Sequence, residues 1–208
     1  MKKILYIICA LSTLTVSCMQ NNGEFTKEEL SLIHSADSIM RVLVVTDTLD
    51  NQVLRATSTD LSASALLSED YSRLCELMLA TVTHPSQDGV GIAAPQVGLN
   101  RRVVAVLRFD KPDEPFEIYA NIRIVRRSEK MVTGGEGCLS VPDMRGEVKR
   151  SEEIEIEYID MEQLKNGKYA MKRENYECQV FHSTQTFLDM LNADQVDTEN
   201  ILFYEIEI

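Results

Sequence analysis

Gly89-Val90-Gly91-Ile92-Ala93-Ala94-Pro95-Gln96-Val97-Gly98 is the stretch whose reading decides this chain, together with a second one, Glu136-Gly137-Cys138-Leu139-Ser140-Val141-Pro142. Each pairs glycines, which accept unusual backbone angles and close approaches, with one side chain capable of chemistry. Gly89 and Gly91, with Val90 between them, let a substrate backbone come close, so Val90 and Gly91 are candidate substrate-binding residues. Gln96 offers an amide N–H to an oxyanion. Cys138 offers a thiolate to a soft or borderline metal.

Outward from these stretches the pattern is that of one α+β domain without internal repeats. Thr26-Lys27-Glu28-Glu29 has the form of a capping box, and Leu30, Ile33, Ile39, Met40 and Leu43 predict a helix over 26–43. Val44 to Ser58 reads as extended and turn-rich. Ser68 caps a second helix with the apolar stripe Tyr71, Leu74, Cys75, Met78 and Val82, so Cys75 is a core residue, and His84-Pro85 ends that helix. Arg102 to Leu107 reads as a buried strand, Phe116 to Val125 as one extended segment, and Ile154 to Asp160 as a half-buried strand with period-two alternation. Asn166-Gly167 marks a hairpin turn. Cys178 to Leu191 carries Phe181, Thr184, Phe187, Leu188 and Leu191 at helical spacing, and Ile201 to Ile208 is a last strand.

The chain has 208 residues, 44% apolar and 26% charged, with a formal net charge of −12. That supports a sizeable core and argues against sequence-independent nucleic-acid binding, which needs clustered Lys and Arg. Met1-Lys2-Lys3 followed by the mostly apolar run Ile4 to Val16 is too short to span a bilayer and fits a signal segment. Thr15-Val16-Ser17-Cys18 resembles the lipobox of bacterial lipoprotein signals, with Thr15 where Leu is usual. The resemblance implies a signal peptide over 1–17, a lipidated Cys18, a tether over 18–25 and a folded domain over 26–208. The protein is then anchored to a membrane of the cell envelope. Cys75, Cys138 and Cys178 remain, an odd number, which leaves open a single Cys138–Cys178 bridge.

Taken in this order, the two glycine-bounded stretches, followed by Arg145-Gly146-Glu147-Val148 and Arg150, resemble the first two signature motifs of peptide deformylases. The likeness runs from Val44 to Asp189 and includes Gln52-Val53-Leu54-Arg55. It implies a peptide-deformylase-like α+β fold, with mixed or antiparallel sheets packed around a central C-terminal helix. It further implies that Gln96 and the backbone N–H of Leu139 stabilise a tetrahedral intermediate, that Cys138 is a metal ligand, and that Glu136 and Arg150 form a structural ion pair. The family's third motif is His-Glu-x-x-His on a helix. There the two histidines complete the metal site and the glutamate acts as general base.

Val180-Phe181 and Leu188-Asp189 set the register of that third motif without a gap. Ser183 then stands at the first metal histidine, Thr184 at the general base and Phe187 at the second histidine. Shifting by one places His182 at the first ligand but Thr186 at the second, so the motif still fails. Cys178 and His182 lie about 100° round the helix from the 183/187 face. A complete structural zinc site binds with about 10–16 kcal/mol, far beyond what one thiolate supplies. Three functions follow as expectations. The first is a lipoprotein of this family that is catalytically inactive, needs no cofactor, and holds a peptide or partner in the inherited cleft. The second is an active metal hydrolase using Fe(II), Zn or Ni at a non-standard site. In the third, Cys138 acts as a nucleophile.

Overall fold

The computed structural model describes residues 22–87 and 89–176 in full, and the backbone of 177 and 201–205. The expected helix at 178–191 lies outside these residues, as does Cys18. Helix α1, Lys27–Ser35, starts where the capping box places it: Glu29 N–H donates to Thr26 Oγ1 (3.1 Å) and Thr26 N–H to Glu29 Oε2 (2.7 Å). It stops well before residue 43. Arg73 donates to the carbonyls of Ile33 and Ala36, which closes the last turn from outside. Met40 and Leu43 are buried, but on an extended arm rather than a helix face.

The stretch expected to be extended and turn-rich holds a helix instead. Asp47 caps α2, Thr48–Leu54, and Ser62 caps α3, Ala63–Leu66. Both are too short for a periodic stripe to show, and their caps were the legible signal. Helix α4, Glu69–Val82, follows Ser68 as expected; Cys75 packs part-buried against the core.

Nine strands form three antiparallel sheets among the described residues. The first has the order β1 (Gly91–Ala93), β2 (Val103–Leu107), β3 (Phe116–Ala120); the second, β4 (Arg123–Arg127), β7 (Glu153–Ile159), β8 (Met171–Glu177). The third is β5 (Met131–Cys138), β6 (Val141–Ser151), β9 (Ile201–Glu205). The single extended segment expected over 116–125 breaks at Asn121. This residue is fully buried at φ 51°, and its side-chain amide exchanges two 2.8 Å bonds with the backbone of Leu61. Asn166-Gly167 is not a hairpin turn. It ends α5, Met161–Lys165, with Gly167 at φ 78°, the left-handed position that follows many helices.

Two apolar cores result. The larger joins α1, α3 and α4 to the first sheet through Ile33, Leu66, Leu74, Met78, Ile92 and Val103. The smaller lies between the first and second sheets, around Val104, Val106, Ile122, Ile154 and Ile156. Each core edge carries a buried arginine. Arg101, 2% exposed, donates to both Glu29 carboxylate oxygens (2.6 and 2.8 Å), to the carbonyls of Glu24 and Asp60, and to Thr59 Oγ1. That satisfies the whole guanidinium and ties α1 to the sheet. Arg108 is equally buried. It reaches Asp110, Glu117 and Glu174 and the hydroxyls of Tyr119 and Tyr176, linking the first sheet to the second.

Candidate functional site

The first motif is not one loop. Gly91–Ala93 is strand β1, and Ala94–Val97 is a 3-10 turn started by Pro95 and ended by Gly98 at φ 93°. The turn buries Gln96 completely. Its Oε1 accepts from Ala93 N–H at 2.9 Å. Its Nε2 donates to Ser140 Oγ at 3.2 Å and points to Cys138 Sγ at 3.8 Å. The two motifs therefore meet at one side chain.

The second motif reaches this place through an irregular hairpin. Between β5 and β6 the register shifts from Gly137↔Arg145 to Cys138↔Val141, and Asp143 takes φ 61° in the looped-out segment. Such a bulge bends the strand and re-aims its side chains. Leu139 and Ser140 form the turn; Leu139 packs part-buried on the larger core. Glu136 and Arg150 make a bidentate pair at 2.9 and 2.9 Å, with both side chains largely buried, as the resemblance implied. The extended arm adds a strap: Leu43 N–H donates to Gln96 O (2.8 Å) and Val45 N–H to Ser140 O (2.9 Å).

Two further features of this site bear on its chemistry. First, Gly89 permits a close approach between parts of the chain itself. A Cβ there would stand 2.9 Å from Val82 Cγ2 and 3.1 Å from Leu139 Cδ1. Val90 O accepts from Leu107 N–H and Gly91 pairs with Val106, so β2 takes one edge of this strand, which is the outer strand of its sheet. Secondly, Cys138 is poorly suited to be a nucleophile. Burial pushes its thiol up to about 11, outweighing the backbone N–H groups of Ser140 and Val141 that pull it down, and Glu136 adds to the rise. Neither histidine of the described residues partners it: His34 Nε2 lies on Asp70 and His84 Nδ1 on Ser86.

A family metal would need the Cys138 sulfur and two imidazoles. Among the described residues no group of three His, Cys, Asp or Glu is arranged to hold an ion. By the register that the resemblance implies, Ser183 and Phe187 stand at the two imidazole positions and Thr184 at the general base; all three lie outside the described residues, and the two ligand positions carry a hydroxyl and a phenyl ring. Such a donor set does not fit the group. A separate cavity of about 440 Å³ lies between α1, α2 and the 3-10 turn, lined by residues such as Leu32, Ile39, Leu49 and Val53; neither Gln96 nor Cys138 borders it. Sequence reasoning missed Ser140 and the arm Leu43–Val45. Ser140 was inside a quoted motif, but nothing in its spacing says that its hydroxyl meets Gln96.

Comparison with known proteins agrees with this geometry. Residues 43–194 match the family model for polypeptide deformylase. The peptide deformylase of Leptospira biflexa serovar Patoc is 32% identical over 166 residues, covering 76% of this chain and 90% of that protein. Among solved structures, the actinonin-bound class I type b peptide deformylase from Acinetobacter baumannii superposes with a TM-score of 0.65 at 28% identity, over 80% of this chain and all of that one. The Met-Ala-Ser-bound form of that enzyme gives 0.63 at 30%, over 74% and 94%. The motifs, the sheets and these matches together place the chain in the peptide deformylase family.

Proposed function

We propose that this protein is an exported, lipid-anchored member of the family that has lost deformylase activity and binds a peptide or partner in the inherited cleft. The observation that carries the loss of activity is the replacement of the two metal histidines by Ser183 and Phe187 and of the general base by Thr184, against two otherwise intact motifs. Without two imidazoles and a carboxylate there is neither a firmly held metal nor a base for its water; loss of a general base alone costs about 10²–10⁴ in rate. Export and lipidation rest on the Lys2-Lys3, Ile4–Val16 and Cys18 pattern. A membrane-anchored protein outside the cytosol would not meet nascent formylated chains. A peptide ligand is supported by the Met-Ala-Ser peptide in the Acinetobacter relative.

The test is metal analysis and formyl-methionyl peptide hydrolysis on the purified full chain, after incubation with Fe(II), Ni(II) or Zn(II). The expected result is substoichiometric metal and no turnover. One metal per chain with turnover sinks the proposal. Fatty-acid incorporation that disappears in Cys18→Ser checks the anchor.

The intact first two motifs, and relatives named as peptide deformylases, favour one second reading: a metal hydrolase with a non-standard site. It requires both Cys138→Ala and His182→Ala to abolish turnover.

A further inference from the structure

With the histidine ligands gone from the sequence, something other than a metal has to hold the two motifs in their inherited places. We infer that Ser140 and Cys138 now serve as paired acceptors for the Gln96 side chain, forming a metal-independent clasp that fixes the cleft. The role rests on the proposed loss of the metal and goes beyond it, because it assigns a positioning function to residues that a lost enzyme would leave idle.

Three observations converge. First, Gln96 is 0% exposed and every polar atom of its amide is engaged: Oε1 by Ala93 N–H, Nε2 by Ser140 Oγ and Cys138 Sγ. A buried amide left unpaired is costly, so the bonds are held. Secondly, Ser140 is also 0% exposed, and its carbonyl receives Val45 N–H while Gln96 O receives Leu43 N–H. One arm therefore straps both partners of the clasp from the backbone side. Thirdly, the register shift that pairs Cys138 with Val141 places the Cys138 sulfur 3.8 Å from Gln96 Nε2. In this arrangement Gln96 has no N–H left over for an oxyanion; it is a positioning residue, and Ser140 positions it.

The experiment is amide hydrogen exchange and thermal unfolding of the full chain in detergent, with and without a strong chelator, for wild type, Ser140→Ala and Cys138→Ser. The expected results are threefold. Chelator leaves the melting temperature and the Ala93 and Val45 amides unchanged. Ser140→Ala speeds exchange at Ala93 by roughly 3–10-fold, the equivalent of one ordinary hydrogen bond. Cys138→Ser, which keeps an acceptor, leaves exchange within about twofold of wild type. A chelator-induced loss of protection would show that metal holds the loops and would overturn the clasp. Unchanged Ala93 exchange in a folded Ser140→Ala would overturn the role of Ser140. If Ser140→Ala does not fold, the chelator response and Cys138→Ser decide: faster exchange in Cys138→Ser overturns the clasp, and unchanged exchange supports it. Metal analysis and turnover assays separately decide the fate of the activity, so failure of one reading does not masquerade as failure of the other.

Discussion

Two buried polar clusters can be set side by side. Around Gln96, Cys138 and Ser140 the groups are an amide, a thiol raised by burial and a hydroxyl, joined without formal charge. Around Arg108 the groups are a guanidinium, three carboxylates and two tyrosine hydroxyls, with the ring of Tyr176 under the guanidinium at 4.6 Å. The first cluster is marked by two sequence motifs; the second by none. Yet the second should dominate stability. A neutral hydrogen bond contributes about 1 kcal/mol net, whereas unpairing a buried charge costs several. A motif thus marks where the family's chemistry has to be correct, and not where the fold is held most strongly.

The sharpest way to break this contrast is Arg108→Met. Removing the cation leaves Glu117, Glu174 and Asp110 facing one another across two sheets. Urea unfolding should show a loss near the lower end of about 3–5 kcal/mol, because the carboxylates keep some exposure to water. Next comes Gly89→Ala, which drives a Cβ against Val82 and Leu139 where the motifs touch. It should cost about 1–3 kcal/mol by overpacking, measured the same way.

Acid titration probes the charged cluster alone. Hydrogen bonding to Arg108 holds the Asp110 carboxyl below its usual range. For Glu117 and Glu174 burial pushes upward, but hydrogen bonds, from Lys111 and Tyr119 to the first and from Tyr176 and Tyr158 to the second, leave both lowered. A carboxylate whose folded pKa is depressed contributes stability that is full above its unfolded pKa and is lost as pH falls through the folded value. The melting temperature should therefore hold down to about pH 5 and drop below about pH 4. In Arg108→Met that drop should shrink, and an unchanged drop would mean the acid sensitivity lies elsewhere. The smallest effect is expected at Thr26→Ala, about 1 kcal/mol from losing one capping bond far from both clusters.

The sequence by itself determined a good deal. The capping box at Thr26 located the start of α1, the Ser68 cap with acidic Glu69 and Asp70 after it located α4, the buried run at 103–107 located β2, and the two glycine-bounded motifs identified the family. These signals are local or are carried by residue identity, so a linear reading recovers them. The reading that puts Ser183, Thr184 and Phe187 at the third motif also comes from the sequence, by register alone, and belongs to the proposed function. What only the tertiary structure decided is which distant groups share a burial site. The break at Asn121, the halt of α1 under Arg73 and the meeting of Arg108 with Tyr176 each depend on a contact between remote residues. So does the closure of Gln96 on Ser140. A buried donor must find its acceptor wherever the packed chain brings one, and sequence spacing does not encode that distance.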